Sequence, residues 1–297
     1  MQAEVVVAMA AYNGARYLAE SLDSVLKQSY GNFELVIVDD GSKDATPAIL
    51  ADYARRDTRV RVLTNESNQG LIASRNRAIV ASDAPLIALF DADDIMHPHR
   101  LERQVAFLKA HPDHVLCGTS TLKFKGRPWR SWLKRRRHAV NDARFRVELM
   151  RNSPVANPST LFRRSVMPEV PYRQDRPHAE DYQLWVDLLV HGKAAILPDI
   201  LLYYRLHAGQ VSQVHREAQR ATANTIRLSL LARLGFRLDA TDEATYLSIM
   251  AGAMQPGFRV ERVQPLIDDL IAQCRSLRCL DVDMWQSLLL MQAERLR

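Results

Sequence analysis

The first hundred residues repeat one order, a strand and then a helix, four times over. Strand-like runs rich in apolar residues lie at residues 4–11, 34–38, 59–63 and 86–90, and the run at 86–90 is unbroken. A short run of this kind is typical of a strand buried on both faces. Strands that alternate with helices favour a parallel sheet wound by right-handed crossovers. The sequence therefore predicts an α/β fold with a mostly parallel sheet flanked by helices.

The second part of the chain has a different character. From Glu217 onward the apolar spacing predicts four helices and no catalytic cluster. A length of 297 residues suits one large α/β domain with an added helical piece. We therefore predict a domain at 1–212 that holds the candidate site and a helical subdomain at 213–297. The expected role of the subdomain is packing, homodimer formation, or contact with a membrane or an acceptor.

Charge and cysteine content narrow the setting of the protein. The formal net charge of +6 and the pI near 9.3 are compatible with phosphorylated ligands, polyanions or membrane surfaces. No apolar run approaches the roughly 18 residues of a spanning helix, and no signal peptide core is present. Cys117, Cys274 and Cys279 form no metal-like set and fit a reducing compartment. We expect a cytoplasmic protein, with peripheral binding to the inner face of the cytoplasmic membrane as an extension of that prediction.

Polar clusters follow the predicted strands at four places. They are Tyr12-Asn13-Gly14, Asp39–Ser42, Asn68–Gly70 and Asp91–Asp94. Ligands of parallel α/β sheets bind beyond the carboxyl ends of the strands. We therefore expect the four clusters to meet at one rim and to form a ligand site.

The fourth cluster places three carboxylates within four positions after a buried strand. Like charges at this spacing repel each other unless a cation neutralises them. Carboxylate oxygens suit Mg²⁺ or Mn²⁺, which commonly bind substrate phosphates as well. A metal–phosphate site is one interpretation, and an acidic loop that caps the next helix is the other.

Two common phosphate-binding motifs are absent from the chain. The first turn, Ala11–Ala15, lacks the Gly-x-Gly-x-x-Gly pattern of dinucleotide-binding folds, and no P-loop pattern occurs. A phosphatase or phosphotransferase that uses Asp91 or Asp93 stays open. Asp39 and Asp40 on a neighbouring strand weigh against it, because they suggest that the site recognises the polar groups of a nucleotide in addition to its phosphates.

The ordered motifs resemble those of glycosyltransferase family 2, the inverting, nucleotide-sugar-dependent enzymes of GT-A fold. The resemblance covers residues 4–212 and has no counterpart in the C-terminal third. The matching pieces are Ala11-Tyr12-Asn13, Val38–Ser42 with Asp44 and Thr46, Asn68–Gly70 with Ala73–Asn76, Asp91–Asp94 with Pro98 and Arg100-Leu101, Asn157–Ser159, Glu180-Asp181, and Tyr204–His207.

The resemblance implies a GT-A type, Rossmann-like sheet and a metal-dependent glycosyltransferase. The donor would be a nucleoside diphosphate sugar, usually of UDP, and the acceptor a hydroxyl of a glycan or a lipid-linked molecule. Bacterial surface polysaccharide or lipopolysaccharide assembly is the usual setting of such enzymes. A non-catalytic sugar-nucleotide-binding module is the remaining alternative.

The resemblance also implies which residues bind the nucleotide. Asp39 would contact the base, and Arg75 would reach the base or the diphosphate. For Asp40, capping of the turn before Gly41 is an equal alternative, and for Arg75 the alternative is an exposed helical residue. The full predicted set is Ala10, Ala11, Tyr12, Asp39, Asp40, Arg75, Asp91, Ala92 and Asp93.

The metal ligands and the catalytic base follow from the same resemblance. Mn²⁺ or Mg²⁺ would be held by Asp93, Asp94 and His207, although a lone histidine often has a structural role. Asp181 is the predicted base, because a positioned carboxylate can take the proton of an attacking hydroxyl. A single in-line displacement then inverts the anomeric centre. The alternative for Asp181 is helix N-capping, since the helix dipole favours acidic residues there.

The acceptor is expected near the irregular second half of the domain. The basic segment Lys123–His138 carries Trp129 and Trp132 among its cations, a combination that suits an anionic membrane or an acidic acceptor. A solvated loop is the alternative, and nucleic acid is excluded as a partner because no binding module surrounds the segment. Asn157 and Glu180 complete the predicted acceptor residues.

Overall fold

The computed structural model of the protein describes residues 2–126, 135–136, 139–207 and 215–296. The chain divides into two compact units, Met1–Val140 with Val155–Val214 and Asn141–Pro154 with His215–Arg297. The segment Asn141–Pro154 thus belongs with the C-terminal helices, whereas the sequence prediction placed it in the first domain.

The first unit contains a mixed β-sheet with the order β3-β2-β1-β4-β8-β6-β9-β5, and β7 pairs with β6. Strands β3, β2, β1 and β4 run parallel, as do β6 and β9. Strand β8 is antiparallel to both of its neighbours, and β5 is antiparallel to β9. The predicted α/β sheet is confirmed, and its parallel half carries the candidate site. The strands are β1 (Val5–Ala11), β2 (Phe33–Asp39), β3 (Val60–Thr64), β4 (Leu86–Leu89), β5 (Ile95–Met96), β6 (His114–Phe124), β7 (Arg135–Arg136), β8 (Leu161–Arg163) and β9 (Lys193–Arg205).

Helices cover this sheet and bury its apolar strands. Val5, Val7 and Met9 of β1 are fully buried, and so are Val6 and Ala8, which alternate with them. Burial on both faces is what the unbroken apolar run predicts. The helices of the first unit are α1 (Ala15–Leu26), α2 (Thr46–Arg56), α3 (Leu71–Val80), α4 (Arg100–Ala110) and α6 (Glu180–Leu188).

Two details of the predicted elements are wrong. The pair Thr46-Pro47 is typical of an N-cap and a first helical turn, so the sequence predicts Thr46 as the N-cap of α2. Thr46 is instead the first residue of that helix, and its Oγ1 accepts a hydrogen bond from the Gly14 N–H at 2.9 Å. The apolar residues of Leu201–Leu206 predict a last strand only there, yet β9 (Lys193–Arg205) spans thirteen residues. Pro198 interrupts its apolar pattern, and the pairing with β6 shifts register between Thr119 and Thr121.

The second unit is helical, as predicted for the residues after 217. Tyr246 and Trp285 pack at its centre with ring centroids 6.5 Å apart. The Tyr246 hydroxyl donates to the Met150 carbonyl oxygen at 2.9 Å, which ties Asn141–Pro154 to the C-terminal helices. Of the helices in the described residues, none has the length and hydrophobicity that crossing a bilayer requires. The helices of this unit are α5 (Asp142–Leu149), α7 (Arg216–Arg233), α8 (Ala240–Ala251), α9 (Val263–Leu277) and α10 (Val282–Ala293).

Candidate active site

The turn after β1 is tied to the turn after β2. The Asn13 N–H donates to Ser42 Oγ at 2.9 Å, and Asn13 Oδ1 accepts from the Lys43 N–H at 2.8 Å. The Ala15 N–H at the start of α1 donates to Asp44 Oδ2 at 3.1 Å. These bonds hold the predicted pocket at Ala10–Tyr12 beside the end of β2. The Tyr12 side chain is half exposed, so a ligand can reach it.

Asp39 and Asp40 follow each other at the end of β2, and we call this pair the β2 corner. Their carboxylates have different hydrogen-bond partners. Asp39 is buried, and its Oδ1 accepts from the Ser42 N–H at 3.1 Å. Among the described residues, no hydrogen bond reaches its other oxygen. Asp40 accepts from the Gln69 N–H at 2.8 Å and, through its second oxygen, from the Gly70 N–H at 2.9 Å. Asp40, whose Oδ1 also accepts from Asn65 Nδ2 at 2.7 Å, therefore holds the turn before α3 and does not cap the turn before Gly41. Its contact with the nucleotide stays a prediction.

Gly41 is required where these two turns approach each other. Its φ is +73°, and a Cβ built on it would lie 2.8 Å from the backbone carbon of Ser67. Only glycine avoids both the unfavourable conformation and this close contact. The turn that presents Asp39 and the Ser67–Gly70 turn therefore pack backbone against backbone.

Arg75 of α3 is buried between two carboxylates. Its Nη2 lies 2.6 Å from Asp91 Oδ1, and its Nη1 lies 3.2 Å from Glu180 Oε1. Burial opposes the charge of Arg75, yet Asp91 and Glu180 outweigh it and keep its pKa above the usual value. The alternative of an exposed helical arginine is wrong. Arg75 connects the fourth strand-end cluster with the start of α6.

Asp91, Asp93 and Asp94 form what we call the acidic corner, at the end of β4. One carboxylate oxygen from each lies within 4.8 Å of the others. Asp94 Oδ1 accepts from the Arg205 N–H at 2.8 Å, whereas its Oδ2 is buried and has no partner among the described residues. Burial and the neighbouring carboxylates raise the pKa of Asp93, and they raise that of Asp94 well above its usual value.

The acidic corner fits a divalent cation. Three oxygen donors are the ligand set that Mg²⁺ or Mn²⁺ prefers, and a cation would offset both the repulsion and the unsatisfied Asp94 oxygen. His207 lies outside this group of three, and its Nε2 is 2.8 Å from Asp93 Oδ2. The capping alternative is wrong, because the next helix has His99 as its N-cap and no side chain caps it.

Arg205, matched in the sequence but given no role there, holds the acidic corner in place. Its Nε donates to the Asp93 carbonyl oxygen at 2.7 Å, and its Nη2 lies 2.5 Å from Glu20 Oε2. The guanidinium also lies 4.5 Å from the Tyr17 ring centroid and 4.7 Å from that of Phe124. These contacts fix the Asp93 main chain, and the Arg205 N–H fixes the Asp94 carboxylate.

Glu180 and Asp181 begin α6, but neither is its N-cap. The N-cap is Ala179, and no side chain caps this end. Asp181 Oδ1 accepts from the Tyr182 N–H at 2.7 Å. Burial, followed by the Glu180 carboxylate, raises the pKa of Asp181 to about 7, although the Tyr182 N–H and Arg75 oppose the shift. A carboxyl group that titrates near neutral pH is suited to accept a proton during a reaction.

Tyr172 belongs to this site and was missed in the sequence. It is fully buried, and its ring centroid lies 5.8 Å from the Arg75 guanidinium. The Asn76 amide bonds both the N–H and the carbonyl oxygen of Tyr172, at 2.9 and 2.8 Å. The hydroxyl of Tyr172 donates to Asn157 Oδ1 at 2.8 Å. Asn76 lay within a matched motif, but no local pattern marks a tyrosine 96 residues away as its partner.

Among the described residues, the predicted clusters therefore lie together. The four strand-end clusters, Glu180, Asp181 and Asn157 are joined by the contacts above. Trp129 and Trp132 lie outside the described residues, and so does most of the basic segment around them.

The chain is similar to known proteins that are named as glycosyltransferases. A glycosyltransferase of Haemophilus influenzae is 29% identical over 265 residues, which is 82% of this chain and 80% of the relative. The Escherichia coli UDP-Glc:alpha-D-GlcNAc-diphosphoundecaprenol beta-1,3-glucosyltransferase WfgD is 28% identical over 210 residues, covering 70% of this chain and 79% of that one.

Solved structures share the fold at low identity. The S. aureus TarS structure (residues 1–349) in complex with UDP-GlcNAc matches with a TM-score of 0.64 and 18% identity, covering 99% of this chain and 92% of that one. The Pyrobaculum calidifontis mannosyltransferase PcManGT, in complex with GDP-Man and Mn²⁺, matches with a TM-score of 0.56 and 17% identity, covering 99% and 87%. The family model of glycosyl transferase family 2 matches residues 6–170, more than half of the sequence. The chain belongs to glycosyl transferase family 2.

Proposed function

We propose that this glycosyltransferase is inverting and metal-dependent, and that it moves a hexosyl group from a UDP-sugar to a hydroxyl of a glycan or a lipid-linked acceptor. Two relatives support the choice of donor and acceptor. The name of WfgD gives UDP-Glc as its donor and a diphosphoundecaprenol-linked acceptor, and TarS was solved with UDP-GlcNAc. The setting that fits these relatives is bacterial surface polysaccharide or lipopolysaccharide synthesis.

The observation that carries the proposal is the Asp181 carboxyl group, with its pKa raised to about 7 beside Glu180. An acceptor hydroxyl attacks the anomeric carbon, and its proton passes to the Asp181 carboxylate. The bond from that carbon to the diphosphate oxygen breaks, and its electron pair stays on the departing nucleotide. One displacement of this kind inverts the anomeric centre.

The leaving group would be held at the opposite end of the site. Asp91, Asp93 and Asp94 are the residues that would bind Mn²⁺ or Mg²⁺, and a bound ion neutralises charge on the departing diphosphate. His207, whose Nε2 lies 2.8 Å from Asp93 Oδ2, would complete the metal-ligand set or orient Asp93. Arg75 adds a fixed positive charge between Asp91 and Glu180.

The nucleotide would bind across the ends of β1 and β2. Asp39 retains one carboxylate oxygen that can accept a hydrogen bond from a ring N–H of uracil, and the half-exposed Tyr12 ring can cover the base. Asp40 contributes by fixing the turn before α3, and so the placement of Arg75.

A nucleotide-sugar panel tests the proposal. Thermal shifts with UDP-, GDP- and dTDP-sugars, each with and without Mn²⁺, should identify a preferred UDP-sugar whose stabilisation increases with Mn²⁺. The anomeric configuration of the product, read by NMR coupling constants, should be opposite to that of the donor. Retention of configuration would reject the single displacement.

The same assays distinguish the proposed transferase from two other functions, a phosphatase and a binding module without activity. Phosphoester hydrolysis independent of acceptor would indicate a phosphatase, but Asp91 already engages Arg75 at 2.6 Å and is poorly placed as a free nucleophile. Binding of a nucleotide sugar without any turnover would indicate a binding module. We expect transfer that depends on both donor and acceptor.

A further inference from the structure

Ser21 is a fully buried polar residue on the otherwise apolar face of α1. Its neighbours on that face are Leu18, Leu22 and Val25, which belong to the hydrophobic core and hold the helix in place. A serine inside a helix commonly faces solvent or bonds a carbonyl oxygen of the preceding turn. The hydrogen bonds of the Ser21 hydroxyl instead lead out of α1, to the turn that carries the acidic corner.

The Ser21 hydroxyl lies between two carbonyl oxygens of that turn. Its Oγ is 2.9 Å from the Ala92 oxygen and 2.7 Å from the Asp94 oxygen. A hydroxyl group has one proton to donate, so the two carbonyl oxygens share it. Two points of the turn are thereby held against one atom of a packed helix. The turn cannot open there unless a buried carbonyl oxygen loses its donor, which is costly.

These carbonyl groups restrain the main chain from which two carboxylates project. The peptide plane of the Ala92 carbonyl ends at the Cα of Asp93, and the plane of the Asp94 carbonyl begins at the Cα of Asp94. The carbonyl between them, that of Asp93, accepts from Arg205 Nε at 2.7 Å. Three successive carbonyl groups are thus bound by side chains of α1 and β9, and Ser21 binds two of them.

We propose that Ser21 is a positioning residue for the acidic corner and acts through the main chain at Ala92 and Asp94. The inference rests on the proposed function, because the carboxylates in question are those that would hold Mn²⁺ or Mg²⁺. Residues that orient metal ligands in this way typically contribute about 10–100-fold to metal affinity. A serine that only satisfied two buried carbonyl groups would contribute to stability and leave metal affinity unchanged.

Ser24 lies one turn further along α1 and separates the two roles. Its Oγ accepts from the Met96 N–H at 2.9 Å and donates to the Ser21 carbonyl oxygen at 2.7 Å. Ser24→Ala therefore removes a hydroxyl that binds the same segment of chain, but beyond the carboxylates. Ser248→Ala is a second control, because the Ser248 hydroxyl is fully buried and makes hydrogen bonds of 2.8 and 2.9 Å within the second unit.

The test is the affinity of the full chain for Mn²⁺, read from the electron paramagnetic resonance signal of the free ion during titration. In Ser21→Ala, Kd for Mn²⁺ should rise about tenfold, whereas both control variants should stay within about twofold of wild type. All three should melt earlier than wild type, because each loses a hydrogen-bonded hydroxyl. Transfer by Ser21→Ala should recover when the Mn²⁺ concentration is raised about tenfold, since the deficit is one of affinity.

Ser21→Cys covers the case in which the alanine variant does not fold. The thiol is a weaker donor than the hydroxyl, so Kd for Mn²⁺ should lie between about twofold and tenfold above the wild-type value. A folded Ser21→Ala or Ser21→Cys protein with wild-type affinity would overturn the inference and leave the serine a structural role.

Equal losses of Mn²⁺ affinity in Ser21→Ala and Ser24→Ala would also overturn the inference, because they would indicate a general loosening of the chain after β4. Both of these results leave the proposed function standing. A wild-type chain that binds no Mn²⁺ would instead reject the proposed metal dependence, and this inference with it.

Discussion

The ends of β2 and β4 both carry adjacent acidic residues, but the chain supplies hydrogen-bond partners to them to different extents. At the β2 corner, main-chain N–H groups bond Asp39 and both oxygens of Asp40. At the acidic corner, Asp94 keeps a buried oxygen without a partner among the described residues, and burial, followed by neighbouring carboxylates, raises the pKa of Asp93 and of Asp94. We infer that Asp40 at the β2 corner is satisfied on folding and that Asp39 keeps one oxygen for a ligand, whereas the acidic corner is suited to a cation.

The start of α6 resembles the acidic corner in this respect. Asp181 carries a pKa of about 7, which means that folding disfavours its charged form. A carboxyl group of this kind lowers stability at neutral pH and is retained where reactivity requires it. Some acidic residues of the site therefore stabilise the fold, whereas others lower the free energy of unfolding at neutral pH and are suited to the reaction.

The largest expected effect is that of Asp181→Asn. Transfer should fall by about 10²–10⁴-fold, the usual contribution of a general base. The melting temperature should rise, because the raised pKa makes the native carboxylate unfavourable. Since the native pKa lies above the unfolded value, the stability linked to the protonated form is complete below about pH 4 and is lost as the pH rises through 7. The gain in melting temperature should therefore be larger at pH 8 than at pH 5.

A matched control for this variant lies on the same helix. Asp187 accepts from Gln183 Nε2 at 3.1 Å, a bond that an asparagine oxygen can keep. Asp187→Asn should leave the transfer rate within about twofold of wild type. An Asp181→Asn protein that retains a tenth of the activity, or melts earlier than wild type at pH 8, would contradict the assignment.

Asparagine substitutions at the two strand ends test the comparison directly. Asp93→Asn removes a charge from the acidic corner, so the stabilisation by Mn²⁺ should largely disappear and transfer should fall about 100-fold or more. Asp40→Asn should keep the Mn²⁺ shift but lower the melting temperature, because losing charged hydrogen bonds costs about 1.5–3 kcal/mol. At about 2–4 °C per kcal/mol, the decrease is some 3–12 °C.

These melting curves, with and without Mn²⁺, can reverse the conclusion. A large loss of stability in metal-free Asp93→Asn, together with none in Asp40→Asn, would show that the acidic corner is a structural element. In that case the raised pKa values would not reflect a site that awaits a cation.

The expected change of the transfer rate with pH is smaller than the effects of substituting Asp181 or Asp93. At saturating Mn²⁺, log kcat/KM should rise by one unit per pH unit below about pH 7 and then level off, because only the ionised Asp181 accepts a proton. The expected loss between pH 8 and pH 6 is thus about tenfold, because the ionised fraction falls from about nine tenths to about one tenth. A profile that stays flat down to pH 5 would assign proton transfer to a carboxylate of ordinary pKa.

Much of the fold and site was predictable because apolar runs and their endings are local features. The runs at β1 to β4 indicate buried parallel strands, and parallel strands place their carboxyl ends at one rim. The pairing of Arg75 with Glu180, across 105 residues, depends on how the irregular segment between β8 and α6 folds back. Nothing local in the sequence specifies that path, and the role of Tyr172 is therefore apparent only in three dimensions.

The turn-holding role of Asp40 was missed for a different reason. The sequence places Asp40 next to Gly41, which suggests a local cap, but its partners are the Asn65 side-chain amide and the N–H groups of Gln69 and Gly70, all after β3. The close backbone approach at Gly41 creates that pairing. A glycine with positive φ and a carboxylate beside it can thus indicate a contact between loops as well as a turn.

The smallest expected effect concerns Arg205, which links the acidic corner to α1 and β6. Lysine keeps the charge at this position but cannot donate from Nε to the Asp93 carbonyl while also reaching Glu20. Arg205→Lys should therefore weaken Mn²⁺ binding about tenfold, at the low end for loss of a residue that orients metal ligands. The Arg205 N–H to Asp94 is a main-chain bond and survives, so the site should be loosened and not lost.

Mn²⁺ titration followed by electron paramagnetic resonance measures this affinity without turnover. Arg262→Lys is a suitable control, because Arg262 makes a bidentate salt bridge with Asp242 in the second unit, through its Nε and Nη2 atoms. It should leave Mn²⁺ affinity unchanged. If Arg205→Lys binds Mn²⁺ as tightly as wild type, the acidic corner is held by the Ser21 hydroxyl, which lies 2.7 Å from the Asp94 carbonyl oxygen, and by the β4 strand end alone. The acidic corner would then resemble the β2 corner in being fixed by its own turn.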